Sequence, residues 1–261
     1  MDQISLFSKE NTDLRAPETV TWNLWCGCSR ISAGCAHCYM YRKFEDVGKD
    51  PSVVRKTGSF NLPVRKIRSG EYKGLYRIPS GSHFYTCFSS DFFHPDADEW
   101  RDAAWKMMKE RSDCTFFMIT KRPENIAKRL PADWGDEYSH ISIAVTCENQ
   151  QMADLRLPVY LSLPLSHRSV MVEPMLGPVN LRRFLDLGKI NSISAGGESG
   201  PEARVCDYDW VLDLHRQCEE YGIGFYYHQT GARLLKDGKE YFIPRKEQHS
   251  QAHKAGLDIS K

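Results

Sequence analysis

Residues 115–130 read TFFMITKRPENIAKRL, which is an apolar run, then a basic turn, then a segment that opens with proline. The run Thr115–Thr120 is rich in aromatic and β-branched residues and predicts a strand. Pro123 suits the first position of a helix, and we expect that helix to cover Pro123–Leu130. A strand followed directly by a helix is the repeating unit of parallel α/β folds.

Similar apolar runs recur on both sides, roughly 25–30 residues apart, which is about the length of one strand–helix unit. The other predicted strands are Val20–Trp25, His83–Phe88, Ile141–Thr146, Ser169–Glu173, Ser192–Gly196 and Gly224–His228. Two segments between them have amphipathic helical spacing: Ala97–Arg111, with Asp96 as its N-cap, and Tyr208–Tyr221, which Gly222 ends. Six or seven such units predict an α/β fold with a partial, TIM-like (β/α)6-7 barrel.

We expect a single domain over 1–261, because neither an internal repeat nor a low-complexity linker interrupts the chain. Residues 1–19 are interpreted as an N-terminal extension, and 232–261 as a C-terminal tail or a lid over the mouth of the barrel. The net charge of +1 gives no global attraction to nucleic acid or to a membrane surface. The nine cysteines are odd in number and scattered, and no leader or membrane-spanning run is visible, which favours the reducing cytoplasm.

Polar residues follow nearly every predicted strand. In parallel α/β folds the active site lies at the carboxyl ends of the strands, so we expect these residues to converge on one mouth. Taken in chain order, they are Ser89, Ser90, Asp91, Lys121, Arg122, Cys147, Glu148, Glu173, Glu198 and His228.

Four of these side chains suggest a binding site for a charged or polar molecule. Lys121 and Arg122 form either a cationic clamp for a carboxylate or a solvated helix start. Glu173 and Glu198 are costly to bury without partners. We therefore expect the two carboxylates to hold an amine, a ribose or the amide edge of a base.

Three others have a catalytic and a structural interpretation side by side. Asp91 either takes part in the chemistry or caps a helix. Cys147 is either a hydrogen-atom donor or a small packed hydrophobe. His228 is either a ligand of the substrate or a structural residue.

The stretch from Trp22 to Tyr39 reads WNLWCGCSRISAGCAHCY and carries the most specific chemical signal. Cys28, Cys35 and Cys38 have six and then two residues between them. Three thiolates satisfy three irons of a [4Fe–4S] cluster and leave the fourth iron open to a small molecule. The candidate for that position is S-adenosylmethionine, bound through its amino and carboxylate groups.

A closed zinc site is the alternative metal hypothesis. Cys26 lies two residues before Cys28 and would serve as a fourth thiolate, giving a zinc-dependent nucleic-acid-binding protein. Zinc sites usually carry two separated cysteine pairs with two to four residues inside each pair, whereas here one pair has a single intervening residue. Zinc would also leave the carboxylates at the mouth unexplained.

Several ordered motifs resemble the phage- and bacteria-associated radical SAM-like family, from roughly Thr21 to Gly231. Beyond the cysteine motif they are Ser89–Pro95, Thr120–Pro123, Val172–Pro178 and Gly196–Pro201. The resemblance implies a partial barrel of the radical SAM type, with Cys28, Cys35 and Cys38 as cluster ligands. The family pattern has a non-cysteine at the position of Cys26, which weakens the zinc interpretation.

The resemblance also implies how the cofactor is held. His37 precedes the last cysteine, where the wider superfamily usually has an aromatic residue against the cofactor adenine. The first cysteine spacing is six rather than three, and the Gly-Gly-Glu motif follows a late strand rather than the second. Ser89 and Ser90 are therefore better candidates than Glu198 for the cofactor amino group, with Lys121, Arg122 and Glu148 completing the predicted cofactor site.

The length and the tail from Lys236 to Lys246 are similar to bacterial queuine lyases, which release preQ1 from queuine by C–N cleavage. This resemblance implies a queuine-like 7-deazaguanine substrate and an unidentified electron donor. The catalytic candidates are then Glu173, Asp91 and Cys147. The substrate contacts would come from Glu173, Glu198 and His228, with Phe92 and Phe93 stacking on the ring and Asp91 or Glu148 on the secondary amine. Radical modification or repair of a nucleic acid base is the alternative within the same chemistry.

Overall fold

The computed structural model describes residues 13–261, so residues 1–12 of the predicted N-terminal extension lie outside it. The strands are β1 Thr19–Trp22, β2 Trp25–Cys26, β3 Arg55–Lys56, β4 His83–Thr86, β5 Thr115–Thr120, β6 Ile141–Thr146, β7 Arg168–Val172, β8 Ser192–Gly196, β9 Cys206–Asp207, β10 Gly224–Gln229, β11 Arg233–Lys236 and β12 Lys239–Phe242. The helices are α1 Tyr39–Glu45, α2 Asp98–Glu110, α3 Gln150–Ser162, α4 Arg182–Leu185, α5 Tyr208–Glu220 and α6 Gln248–Lys254.

Seven parallel strands form the main sheet, in the order β1-β4-β5-β6-β7-β8-β10. Strands of this sheet that are consecutive along the chain are also neighbours in space, which is typical of parallel sheets with right-handed crossovers. The sheet is curled into a half-barrel, which confirms the predicted mixed α/β fold with a partial barrel. Of the helices within residues 13–261, none is both long and apolar enough to cross a membrane.

The two faces of the curled sheet differ in composition because strand side chains alternate in direction. One row of register partners places Phe84 beside Phe116, and another places Val170 beside Ile193 and Ile193 beside Phe225. These side chains are buried under the helices, where α3 packs on β6 and α5 on β8 and β10. The helix-covered, convex face therefore holds the core, and the concave face is left for polar and aromatic residues.

Two predictions about helices are wrong, and one helix was not predicted. Helix α2 begins at Asp98 with Ala97 as its N-cap, so the predicted N-cap Asp96 lies in the preceding 3-10 turn. The segment Pro123–Leu130 makes only a 3-10 turn at Pro123–Asn125 followed by further turns, because a short helix with little to bury is marginal. The helix that covers β6 is instead α3, which contains Pro158. Its exposed Leu155 and Val159 accompany buried apolar residues, so the sequence shows no amphipathic pattern there.

The C-terminal segment 232–261 is folded against the last strand of the sheet. Strands β11 and β12 pair antiparallel, and β11 adds to β9 in a three-stranded sheet. Helix α6 packs on β10, and Ile259 exchanges backbone hydrogen bonds of 2.8 and 3.1 Å with Phe225. This segment therefore covers the outer edge of β10.

Candidate functional site

The cysteine loop crosses the carboxyl ends of the first strands. The N–H of Gly27 donates to the Ser89 carbonyl at 3.1 Å, and the Ser90 hydroxyl donates back to the Gly27 carbonyl. Gly27 has a φ of +91°, and a Cβ there would lie 2.1 Å from the Val53 carbonyl oxygen. Ser89 uses its own hydroxyl on the Trp25 carbonyl at 3.0 Å. Both predicted cofactor serines thus hold the loop in place.

The three motif thiols are free and half-buried around the start of α1. Burial raises the pKa of Cys28 to about 11, with Arg122 opposing and the nearby Cys35 adding to the rise. The Arg122 Nη1 lies 3.6 Å from the Cys28 sulfur. Cys38 is the N-cap of α1, where its carbonyl accepts the Tyr41 N–H at 3.1 Å. The Tyr41 hydroxyl, also in α1, donates to the Cys28 carbonyl and so ties the first motif cysteine to the helix that the third one caps.

Cys26 belongs to a different environment. It lies in β2 opposite Arg55, and the charges that act on its thiol are those of Arg55 and Lys49. Across residues 13–261, no three His, Cys, Asp or Glu side chains already stand in an arrangement that could hold a metal ion. Three cysteine sulfurs are the donors that a cluster with three protein ligands takes, and Arg122 partly offsets the burial that raises the pKa of Cys28.

Glu148 binds the backbone of the cysteine loop at Gly34. It is fully buried, accepts the Gly34 N–H at 3.1 Å and pairs with Arg156 at 2.7 Å. Burial raises its pKa, but the Ser32 hydroxyl and Arg156 outweigh that effect, so its pKa is lowered overall. A Cβ on Gly34 would lie 2.9 Å from the Glu148 carboxyl group. Glu148 is therefore placed to fix the loop rather than to face the mouth.

Glu198 contacts the same loop at His37. Its carboxylate pairs with Arg204 at 2.6 Å and lies 3.1 Å from Nδ1 of His37. Arg204 also donates to the Ala33 carbonyl at 3.0 Å. These contacts explain why the pKa of Glu198 is lowered despite burial. Glu198 and His37, predicted to contact substrate and cofactor, are in contact with each other here.

Asp91 is buried, and donors already surround it. Its two oxygens accept from the Thr120 hydroxyl at 2.8 Å, the Phe93 N–H at 2.9 Å, the Lys121 N–H at 3.1 Å and Arg122 Nη1 at 3.0 Å. Arg122 continues to the Ser29 carbonyl at 2.9 Å. The structure thus places Asp91 and Arg122 as a buried link between two strand ends and the cysteine loop.

Three further candidates are buried in the core. The ring centroid of Phe92 lies 5.2 Å from that of Phe93 and 4.8 Å from that of Trp105. Both phenyl rings are fully buried, so neither has a face available to a ligand in this structure. Burial raises the pKa of Cys147 to about 12, and its thiol is closed off in the same way.

The concave face carries side chains that were not predicted as site residues, and the space that they border is called the slot. Tyr85 and Phe117 are register partners with ring centroids 6.1 Å apart, and Ser194 is the partner of Tyr226. Burial raises the pKa of Tyr226, and the Tyr85 hydroxyl adds to that rise, which indicates that the two phenols lie near each other. Alternation with buried residues was the signal for these positions, but only the curl of the sheet shows that they line a slot.

Small hydroxyls form the floor of this slot. The hydroxyls of Ser169 and Ser192 lie 2.8 Å apart on neighbouring strands. Lys121 reaches from the rim to the Thr146 hydroxyl at 3.4 Å. Aromatic rings beside hydroxyl groups suit a flat, hydrogen-bonding molecule.

Glu173 and His228 form a pair at the mouth of the slot. His228 Nδ1 lies 2.7 Å from the Glu173 carboxylate, which also accepts from the Ser194 hydroxyl at 2.5 Å. The two side chains are 15% and 39% exposed, so the pair is open to a ligand. Burial lowers the pKa of His228, but Glu173 outweighs that effect and the pKa is raised overall. Of the predicted carboxylates, Glu173 is the one whose position lets it meet a substrate.

A family model described as a protein of unknown function (DUF5131) matches residues 15–257. No curated protein and no solved structure matches the chain.

Proposed function

This chain belongs to the DUF5131 family, and we propose that it is a radical SAM enzyme that acts on a planar nucleobase in the slot of the half-barrel. The observation that supports this most is one of position. The three free thiols of the cysteine loop and the exposed Glu173–His228 pair lie at the carboxyl ends of the same parallel sheet. A cofactor held by the loop would face the mouth of the slot.

Cys28, Cys35 and Cys38 would hold a [4Fe–4S] cluster, with S-adenosylmethionine at the open iron. When bound, this pair supplies hydrogen-atom abstraction from an unactivated carbon after an electron arrives from a donor protein. The chain's own contribution is to fix the loop, through Glu148 on Gly34 and Glu198 on His37. Arg122 provides the positive charge beside the Cys28 sulfur.

Glu173 would bind the N–H edge of the base. A carboxylate accepts two parallel hydrogen bonds, and a guanine-like ring offers adjacent N–H donors in one plane. Ser194 and His228 each contact one oxygen of the carboxylate, so its orientation is set before the substrate arrives, and each oxygen keeps a lone pair for the base. Tyr85, Phe117 and Tyr226 would pack against the ring faces.

The narrower proposal is that the substrate is queuine and the product preQ1. Its support is the similarity of the tail to queuine lyases, together with the aromatic and hydroxyl side chains that border the slot and suit a 7-deazaguanine. C–N cleavage would follow hydrogen abstraction from the substrate side chain, which lies toward the cysteine loop when the ring occupies the slot. A base within a nucleic acid would use the same contacts but would add salt-dependent binding.

Replacing Glu173 tests this proposal. We expect Glu173→Gln to lower queuine turnover at least about 100-fold, since one of the two N–H donors then meets an amide N–H instead of an oxygen. S-adenosylmethionine binding should stay within about twofold of the original protein. The matched control is Glu99→Gln on the exposed side of α2. Loss of both properties, or of neither, would contradict the role given to Glu173.

A further inference from the structure

A second cavity lies on the opposite side of β10 from the mouth. It has a volume of about 450 Å³ and is enclosed by the β11–β12 hairpin, α6 and the start of α5. Tyr227 forms its inner wall, because it points to the convex face while its neighbour Tyr226 points into the slot. The two sites are therefore separated by the thickness of the sheet.

The hydroxyl of Tyr227 has no hydrogen-bond partner. The residue is 1% exposed, and the oxygen is among the few buried side-chain polar atoms without a partner within residues 13–261. Buried hydroxyls in proteins are normally satisfied, so an orphan that lines a cavity indicates an absent acceptor. Burial also raises the pKa of Tyr227, which keeps the hydroxyl protonated and therefore a donor.

The charged side chains that line the cavity have a net positive charge. Lys236 and Lys254 line it together with Glu247, which leaves one excess positive charge. Among the described residues 13–261, none of these three side chains takes part in an ion pair. The Lys236 ammonium lies 5.2 Å from the centre of the Tyr208 ring. An anion bound here would face two ammonium groups.

The rim of the cavity carries exposed aromatic surface. Phe242 is 76% exposed, although it belongs to a strand, and Tyr241 beside it is 40% exposed. The ring of Tyr208 lies 6.3 Å from that of Tyr227 on the inner side. Aromatic rings on both sides of a cavity of this size suit a flat ring, since ligand pockets are typically about 300–1,000 Å³ and mostly apolar.

We propose that this cavity binds a small planar aromatic ring that carries an anionic group. The Tyr227 hydroxyl donates to an acceptor on the ring, Lys236 and Lys254 hold the anion, and Phe242 covers an exposed ring face. The anion is a phosphate if the ligand is a nucleotide and a carboxylate if it is an aromatic acid. This site stands independently of the function proposed for the mouth.

Calorimetric titration of the full chain tests the proposal with three probes: guanosine 5′-monophosphate, guanosine and indole-3-acetate. At least one of the two anionic probes should bind, and guanosine should bind at least about fivefold more weakly than its monophosphate. Tyr227→Phe should weaken binding of the anionic probe about fivefold, because one hydrogen bond is lost. Lys236→Ala should weaken it by a similar factor. Because the proposed function gives the mouth a guanine-like ring, the titrations are repeated in Glu173→Gln, where binding at this cavity should persist.

Folding does not confound these variants. Tyr227→Phe removes only a hydroxyl that bonds nothing, so the melting temperature should not fall, and Lys236 is exposed. Binding of the monophosphate alone identifies a nucleotide, and binding of indole-3-acetate alone identifies an aromatic acid. The proposal is overturned if neither anion binds at millimolar concentration. It is equally overturned if binding is insensitive to both Tyr227→Phe and Lys236→Ala, or if Glu173→Gln abolishes it.

Discussion

Gly34 is the point of close approach between the cysteine loop and a buried ion pair. The Glu148 carboxyl group lies 2.9 Å from where a Cβ on Gly34 would be, and Glu148 is in turn held by Arg156. We expect Gly34→Ala to destabilise the fold by about 1–3 kcal/mol. The added methyl group would displace the Glu148 carboxylate, and that carboxylate cannot move without breaking its buried ion pair with Arg156. Iron incorporation should fall with it. Urea denaturation and iron analysis measure the two effects.

Gly58→Ala is the matched control for this change, because an added Cβ there would meet nothing within 4 Å. It should leave both the unfolding free energy and the iron content close to those of the original protein. Equal behaviour of the two variants would contradict the close approach of Glu148 to the loop.

The Glu173–His228 pair has a direct spectroscopic signature. Its histidine pKa is raised above the ordinary value of 6.5 by Glu173 against the effect of burial. In Glu173→Gln burial and the charge of Arg245 remain, and both lower the pKa, so an NMR titration should show the His228 pKa move from above 6.5 to below it. His83, whose pKa is lowered by burial alone, is the internal control and should not move.

The sign of the effect on stability follows from this raised pKa. The pair contributes stability that is fully present below the unfolded pKa of histidine and is lost as the pH rises through the folded value. An unchanged His228 titration in Glu173→Gln would show that the carboxylate and the imidazole are not paired in solution.

Residue types alone could not separate the carboxylates at the mouth. Asp91, Glu148, Glu173 and Glu198 all follow strands, and each has the same chemistry in the sequence. Arginines bind three of them: Asp91 pairs with Arg122 from the next strand end, whereas Glu148 and Glu198 pair with Arg156 and Arg204 only a few residues further along the chain, and only the fold shows these pairings. Glu173 differs because its partners are a serine and a histidine at the open mouth.

At the scale of elements, strands could be predicted closely because their signal is local. The bounds of β5, β6 and β8 agree with the apolar, β-branched runs from which they were predicted. The sequence of α3 gave no comparable signal, since its apolar residues lie on all sides of the helix and it contains Pro158, which usually ends a helix. The short strands β2, β3 and β9 depend on pairing with distant partners, which a local pattern does not show.

Helix α6 supports the mouth from outside. Ala252 is fully buried against β10, and His249 Nδ1 donates to the His228 carbonyl at 2.8 Å. We expect Ala252→Asp to lower the unfolding free energy by about 3 kcal/mol or more, because it buries a carboxylate without a partner. Ser250→Asp on the exposed side of the same helix should change it by about 0.5 kcal/mol or less. Similar melting curves for the two variants would show that α6 is not docked on β10.

The whole molecule divides its chemistry between the two faces of one sheet. The convex face is apolar and helix-covered, whereas the concave face carries tyrosines, serines and the Glu173–His228 pair. Strand alternation could be predicted from sequence, but which alternate set faces the inside of the curl could not, because curvature depends on all seven strands together. The cysteine loop closes the carboxyl end of that concave face, as the proposed function requires.

Metal analysis of the protein after anaerobic purification tests the central claim most directly, with EPR after dithionite reduction in the presence and absence of S-adenosylmethionine. The account predicts about four irons and four sulfides per chain and a spectrum that S-adenosylmethionine perturbs. Cys35→Ser should lose the cluster and Cys26→Ser should keep it. Stoichiometric zinc without sulfide, or a cluster that depends on Cys26 as a fourth thiolate and ignores S-adenosylmethionine, would contradict it.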